Sequence, residues 1–195
     1  MRHLLTPSDR KRYGARRLLV TGAGGSVGSE LSRQLADCGP ACLTLVDHSE
    51  LHLFEITREL AERRPDVVVD PVLADVSHDA SMRRTVAAAE PDVVFHAAAY
   101  KHVSMMERDV CAAVSANVVG TANVVAASRE AGARFVLNGP EGDDRSAHRG
   151  AAGGDGTARV GPLLAGHYTA ALELPPEPTE FGGMRIVMGE SGGEL

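Results

Sequence analysis

The stretch Val20-Thr21-Gly22-Ala23-Gly24-Gly25-Ser26-Val27-Gly28 decides the fold of this chain. It joins an apolar run to a segment in which apolar residues recur at helical spacing, so it predicts a strand, a tight turn and a helix. Three of its glycines, Gly22, Gly25 and Gly28, are spaced three apart. In such a turn the first glycine permits the sharp bend, the second lets the main chain approach a ligand, and the third lets the helix pack closely on the sheet.

Apolar runs and helical periodicities alternate along the chain. The runs that predict strands are residues 17–21, 43–47, 67–69, 92–96 and 134–137. The predicted helices are 26–38, one that begins at Ser49 and ends before Pro65, 77–89, and a long one over roughly 103–131. Apolar strands that alternate with helices form a parallel sheet covered on both faces. Because crossovers are right-handed, we expect a doubly wound parallel sheet, the Rossmann-type α/β fold.

The composition changes after the fifth predicted strand. Residues 139–195 hold 13 of the 21 glycines and five of the ten prolines. High glycine, proline and acid content weakens the case for a packed core there. We therefore predict a basic N-terminal arm over 1–15, a Rossmann-type domain over 16–138 and a divergent glycine-rich tail over 139–195. Within that tail a last helix over 159–172 and a strand over 184–188 are predicted.

The overall composition excludes several functional classes. The chain has 195 residues, of which 44% are apolar and 24% charged, as in ordinary soluble domains. It has no run of eighteen apolar residues, so no membrane span is expected. The net charge of −6 argues against nucleic acid as a partner. Three cysteines are too few for a disulfide framework and favour a reducing, cytoplasmic setting. His48 and His52 lie four apart, but no third ligand has suitable spacing, so no metal is expected.

The glycine turn predicts a pyrophosphate site. A helix N-terminus presents main-chain N–H groups and a positive dipole end to an anion. A carboxylate about 20 residues further on, at the end of the second strand, commonly bonds the adenosine ribose, and Asp47 stands there. An acid at this position favours NAD(H), since it would repel the 2′-phosphate of NADP(H). As an alternative, Asp47 or Ser49 could cap the next helix.

Two further segments follow strand ends. Asp75 and Val76 come after the third strand, where a carboxylate can reach the adenine amino group, and a helix cap is the alternative. His96 and the small residues Ala97 and Ala98 end the fourth strand, and small residues let the main chain lie against a flat cofactor. His96 itself is more often a packed, hydrogen-bonded residue than a catalytic one.

Three runs of sequence closely resemble one family. They are Thr21-Gly22-Ala23-Gly24-Gly25-Ser26-Val27-Gly28-Ser29-Glu30-Leu31, Phe95-His96-Ala97-Ala98-Ala99-Tyr100-Lys101-His102-Val103-Ser104-Met105-Met106-Glu107 and Ala116-Asn117-Val118-Val119-Gly120-Thr121-Ala122-Asn123-Val124. The family is the polysaccharide-biosynthesis, or capsular, branch of the extended short-chain dehydrogenase/reductases. Its members resemble UDP-N-acetylglucosamine 4,6-dehydratases and nucleotide-sugar epimerases. The resemblance covers about residues 16–137.

The resemblance implies a bound nicotinamide cofactor, NAD or NADP, that oxidises a UDP-sugar at C4. Water is then eliminated across C5 and C6 and hydride returns to C6, so the net reaction is that of a lyase. By position, the family's cofactor-binding residues correspond to Gly22, Gly25, Ser26, Val27, Gly28, Asp47, Asp75, Val76, Ala97, Ala98 and Asn117. Tyr100 would lie toward the nicotinamide and Lys101 near the sugar, and these two are the candidate catalytic residues.

The sequence departs from the family after the fifth strand. The family normally has Ser-Thr-Asp-Lys there, and then a Tyr or Met followed four residues later by Lys, for proton transfer and ribose binding. Here the strand is followed by Asn138-Gly139-Pro140-Glu141-Gly142-Asp143-Asp144-Arg145. No Tyr-x-x-x-Lys occurs, because the two lysines are Lys11 and Lys101. Asp143 or Asp144 would be a further proton-transfer candidate.

Three interpretations therefore stay open. The chain is an active nucleotide-sugar dehydratase or epimerase with an altered site, or an inactive NAD(P)-binding pseudoenzyme that partners a complete homologue. The third interpretation is a product whose C-terminal substrate part is truncated or degenerate. A homo-oligomer is also left open, because related enzymes pair through the helices after strands four and five.

Overall fold

The sheet is parallel and its strands lie in the order β3-β2-β1-β4-β5. These strands are β1 Arg17–Thr21, β2 Cys42–Asp47, β3 Val69–Leu73, β4 Val93–His96 and β5 Arg134–Leu137. The computed structural model describes residues 11–100, 106, 108–137, 157–159, 168–173 and 185–190. The strand order reverses between β1 and β4, as in a doubly wound sheet, which confirms the predicted fold class.

Helices cover both faces of this sheet. They are α1 Ser26–Ala36, α2 Glu50–Arg63, α3 Asp79–Ala89, α4 Val110–Ala113 and α5 Gly120–Glu130, and a π-helical turn, Val114–Val119, joins the last two without a break. Side chains of α1 and α2 pack with one set of strand residues, and those of α3 and α5 pack with the other set.

Alternating residues of β1 divide between the two cores. Leu18 and Val20 join the core under α1 and α2, whereas Leu19 joins the core under α3 and α5. All three are at most 1% exposed. A strand buried on both faces has no polar face to alternate with, which explains the continuous apolar run in the sequence.

The third strand was predicted in the wrong place. It spans Val69–Leu73 and not 67–69, and it contains Pro71. β3 lies at the edge of the sheet, where a proline is tolerated because one side of the strand needs no N–H donor. The third helix also starts later than predicted: it begins at Asp79 with His78 at its N-cap, because Ser77 N–H donates to Asp75 Oδ1 at 2.8 Å.

The tail contains an antiparallel sheet of three strands, β6 Thr157–Arg159, β7 Tyr168–Glu173 and β8 Arg185–Glu190. The prediction of a helix over 159–172 is therefore wrong, because Arg159 ends β6 and residues 168–172 lie in β7. Residues 160–167 lie outside the described residues. The Ala-Ala-Leu-Glu segment favours a helix locally, but β7 pairs along its whole length with β8, and this nonlocal pairing prevails. β8 overlaps the predicted strand over 184–188. The division of the chain at residue 138 stays a prediction.

One helix in the described part of the chain, Val110–Glu130, is long and apolar enough to cross a membrane by length and composition. The expectation of no membrane span rested on the absence of an uninterrupted apolar run. Polar residues interrupt the apolar sequence of this helix, so it did not meet that criterion. In the fold, half of its most apolar stretch is buried, and Val124 and Ala127 pack in the core shared with α3. Core packing accounts for the buried half of this apolar stretch.

We predict that Leu19→Ala lowers the free energy of unfolding by roughly 2–5 kcal/mol, because Leu19 is fully buried in the central strand and its removal leaves a cavity. Leu51→Ala is the matched control, since the Leu51 side chain on α2 is 63% exposed. It should change the free energy by less than about 0.5 kcal/mol. Urea denaturation of both variants measures this, and equal effects would contradict the core assignment.

Candidate dinucleotide-binding site

The candidate site lies where the loops after β1 and β4 meet at the carboxyl edge of the sheet. β1 has β2 on one side and β4 on the other, and chain connections leave in opposite directions at this point. Ala97 N–H donates to Thr21 O at 3.0 Å, so the second loop continues the sheet past β4. Doubly wound sheets bind ligands in the crevice at this switch point.

The glycine turn requires glycine for steric reasons. Gly22 has a φ of +67°, and an added Cβ atom would lie 2.7 Å from the main chain of Ala98. A Cβ atom at Gly28 would lie 1.9 Å from the carbonyl oxygen of Gly22. Gly24 had no predicted role, yet a Cβ atom there would lie 2.4 Å from the Cβ atom of His52 on α2. Its position within a run of glycines was the sequence feature that could have identified Gly24 as a required glycine.

The N-terminus of α1 is open to an anion. Gly25 is the N-cap, no side chain caps the helix, and no acidic residue lies in its first turn. Gly25 and the two residues that follow it, Ser26 and Val27, are exposed. The first N–H groups of a helix have no partner within the helix, so they suit a phosphate group. The main chain of this turn therefore fits a pyrophosphate.

Asp47 connects the glycine turn to α2. Its carboxylate accepts hydrogen bonds from Gly24 N–H and Ser49 N–H, each at 2.9 Å, and the residue is 5% exposed. Ser49, and not Asp47, is the N-cap of α2, because its hydroxyl oxygen accepts from His52 N–H at 3.4 Å. A carboxylate offers about four lone-pair sites, so these two bonds leave capacity for a ribose hydroxyl.

Asp75 lies beside Asp47 along the same edge. Ala74 N–H donates to Asp47 O at 3.0 Å, which joins the loop after β3 to the end of β2. Burial raises the pKa of the Asp75 carboxyl, but hydrogen bonds from Ser77 and the nearby His78 and His48 outweigh it, so the pKa lies below its ordinary value. The side chain is about half exposed. Asp75 is thus an accessible anionic acceptor.

His96 is a packed residue, consistent with the interpretation from sequence. It is 2% exposed and lies between two hydroxyl groups, with Nδ1 2.6 Å from Thr21 Oγ1 and Nε2 2.9 Å from Thr121 Oγ1. Thr121 donates its proton to Asn117 O at 2.6 Å, so it accepts from Nε2–H. Burial lowers the pKa of His96 to about 4, so the ring is neutral at pH 7.

Asn117 holds the loop that follows β4. Its side-chain oxygen accepts from Tyr100 N–H at 2.8 Å, and its amide nitrogen donates to Tyr100 O at 2.9 Å. It lies in the π-helical turn, a feature that is frequent at functional sites. The Tyr100 side chain is 42% exposed, and its ring centroid lies 6.2 Å from that of His48. Asn117 therefore positions the main chain of a candidate catalytic residue.

The structure groups most of the predicted site residues along this edge. These are Gly22, Gly25, Ser26, Val27, Gly28, Asp47, Asp75, Val76, Ala97, Ala98, Tyr100 and Asn117. Lys101, Asp143 and Asp144 lie outside the described residues. The role of each in binding or catalysis stays a prediction. In the described part of the chain, no group of three potential ligands could hold a metal ion.

A parallel sheet in this order, with a glycine turn at its switch point, defines a doubly wound α/β protein of the Rossmann type. The chain belongs to the family described as polysaccharide biosynthesis protein, whose model matches residues 18–138. This confirms the family that the three runs of sequence resemble.

Relatives support the assignment. Over 128 residues, or 65% of the chain, it is 41% identical to the probable polysaccharide biosynthesis protein EpsC of Bacillus subtilis. Over 122 residues, or 62% of the chain, it is 37% identical to the capsular polysaccharide biosynthesis protein CapD of Staphylococcus aureus. The chain covers only 21% and 20% of the length of these two proteins.

A solved structure shares the fold. The UDP-glucose 4-epimerase of Stenotrophomonas maltophilia, determined with bound NAD and formylated UDP-arabinopyranose, matches with a TM-score of 0.57 and 23% identity. The match covers 63% of this chain and 36% of the epimerase.

We predict a pH dependence of stability that belongs to His96. Its pKa is about 4 in the folded chain and about 6.5 when unfolded, so the unfolded state binds more protons between these values. The free energy of unfolding should therefore fall as the pH is lowered from about 6.5 to 4, by up to about 3 kcal/mol.

Urea denaturation across this pH range measures the free energy of unfolding of the wild-type chain and of His96→Gln, which should lack this pH dependence. His52→Gln, at an exposed histidine, is the control and should keep the pH dependence of the wild type. If the free energy of His96→Gln falls with pH as much as that of the wild type, the pH dependence does not belong to His96.

Proposed function

We propose that this chain binds NAD(H) along the carboxyl edge of its sheet and belongs to an enzyme that acts on a UDP-sugar. The observation that carries the proposal is the glycine turn, which brings the uncapped N-terminus of α1 to the end of β1. The main-chain donors there suit the pyrophosphate. The family and the relatives support a role in polysaccharide biosynthesis, and the UDP-glucose 4-epimerase that shares the fold supports nucleotide-sugar chemistry.

The residues on either side of the turn would hold the rest of the dinucleotide. Asp47 would accept from the ribose hydroxyls while it keeps the turn in place, and Asp75 with Val76 would hold the adenine. Ala97 and Ala98 would leave room for the nicotinamide. The nicotinamide ring, when bound, accepts and returns a hydride. We propose NAD over NADP, because the buried Asp47 carboxylate would repel a 2′-phosphate.

Tyr100 and Lys101 are the candidate proton-transfer residues. The Tyr100 side chain is partly exposed at the site and its main chain is held by Asn117. Proton transfer by a positioned side chain is worth about 10²–10⁴ in rate. The net reaction would be a dehydration across C5 and C6, of the lyase class, or an epimerisation of the sugar.

A second candidate function is dinucleotide binding without turnover. The observation that favours it is the missing Tyr-x-x-x-Lys in the sequence. Such a chain would act beside a complete homologue. In either case we propose a cytoplasmic location, which agrees with the free thiols of Cys38, Cys42 and Cys111.

We predict that NAD⁺ binds at least about tenfold more tightly than NADP⁺, a difference of ~1.4 kcal/mol. Isothermal titration calorimetry of the folded chain with each dinucleotide measures this. Asp47→Ala should weaken NAD⁺ binding and reduce the preference for NAD⁺ over NADP⁺. Asp66→Ala, at an exposed carboxylate paired with Arg64, is the control and should change neither value. A folded chain that binds neither dinucleotide would overturn the proposed function.

Turnover separates the two candidate functions. With NAD⁺ and UDP-N-acetylglucosamine, a dehydratase should yield a 4-keto-6-deoxy sugar nucleotide, detected by mass spectrometry. Tyr100→Phe should lower the rate by about 10²–10⁴ without abolishing NAD⁺ binding. An epimerase should instead yield a sugar nucleotide of unchanged mass that chromatography separates from the substrate. Binding of NAD⁺ with neither product would identify the second candidate.

A further inference from the structure

The helix Gly120–Glu130 holds the loop that follows β3 through one buried amide. Asn123, 8% exposed, donates from Nδ2 to Val76 O and to Ser77 O, at 3.0 Å each. The two N–H groups of one side chain thus bind two consecutive carbonyl groups. Asn123 is far from this loop in sequence, and no role was predicted for it.

The same helix provides space for the side chain of Val76 in that loop. Gly120 lies three residues before Asn123, so both lie on one face of the helix. A Cβ atom at Gly120 would lie 2.6 Å from Val76 Cγ2. Val76 is 7% exposed and packs in the core with α3 and α5. The helix therefore binds the main chain of the loop and accommodates its side chain.

These contacts end directly beside Asp75. Asn123 binds the carbonyl of Ser77, and Ser77 N–H donates to Asp75 Oδ1 at 2.8 Å. The Asp75 carboxylate is thereby joined to a loop that cannot shift without breaking the Asn123 bonds. It remains about half exposed, so a ligand can reach it.

We propose that Asn123 is a positioning residue for adenine recognition: it fixes the Val76–Ser77 main chain so that Asp75 faces the amino group of the base. This inference rests on the proposed function, in which Asp75 accepts from that amino group. Asn123 itself does not touch the cofactor. Gly120 contributes to the same positioning, because it allows Val76 to lie against the helix.

A purely structural role for Asn123 predicts a different result from a positioning role. Loss of packing alone would weaken the binding of all dinucleotides alike. Loss of positioning would reduce the selectivity of the site for adenine over a base that lacks the amino group. The useful measurement is therefore the ratio of two dissociation constants, for nicotinamide hypoxanthine dinucleotide and for NAD⁺. The hypoxanthine carries a carbonyl oxygen where adenine carries its amino group.

The experiment measures this ratio by isothermal titration calorimetry on the full chain. The wild type should prefer NAD⁺ by about fivefold or more, and Asp75→Ala should bring the ratio near one. Asn123→Ala should reduce the ratio at least threefold. Ser128→Ala is the matched control: Ser128 is buried on the same helix and donates to Val124 O at 2.7 Å, away from the loop. It should leave the ratio unchanged.

Gly120→Ala keeps the experiment decisive if Asn123→Ala does not fold. The added methyl group would push the Val76 side chain and its loop away from the helix although the Asn123 residue is unchanged, and the ratio should again fall. An unchanged ratio in a folded Asn123→Ala or Gly120→Ala chain would overturn the inference and leave the proposed function intact. A wild type that binds both dinucleotides equally would overturn the role of Asp75 and with it the inference. A folded wild type that binds neither would overturn the proposed function itself.

Discussion

The structure depends most on how closely helix α1 approaches the turn that precedes it. A Cβ atom at Gly28 would stand 1.9 Å from the carbonyl oxygen of Gly22, and one at Gly22 would stand 2.7 Å from the main chain of Ala98. Glycine at both positions lets the helix begin at the end of β1 and lets the loop after β4 lie against the turn. An uncapped helix N-terminus is thereby placed where the two halves of the sheet diverge.

The continuous helix Val110–Glu130 forms the other side of the same edge. Three of its buried polar side chains each bind a different segment of the chain. Asn117 holds Tyr100, Thr121 accepts from His96, and Asn123 holds the loop after β3. Buried polar groups must be paired, so these bonds hold the segments against the helix. This explains why a helix apolar enough to cross a membrane also carries buried amide and hydroxyl groups.

Periodicity predicted the central strands because both of their faces are buried. It failed at β3, where Asp70 and Pro71 interrupt the apolar run, since an edge strand can expose such residues. It failed again in the tail, where local helix propensity was overridden by the pairing of Tyr168–Glu173 with Arg185–Glu190. In both cases the error came from contacts between segments that are not adjacent in sequence.

Local properties alone therefore determined the class of this protein and the location of its candidate site. Glycine spacing, apolar runs, the acid that ends β2 and the acid that follows β3 are local features, so they are visible in one sequence. Only the tertiary structure decided which donors surround each acid and which buried groups pair. Asp47 binds a turn 23 residues away, His96 binds Thr21 across 75 residues, and Asn123 reaches back 47 residues to Val76. Those partners depend on which elements pack together, and packing is a property of the whole fold.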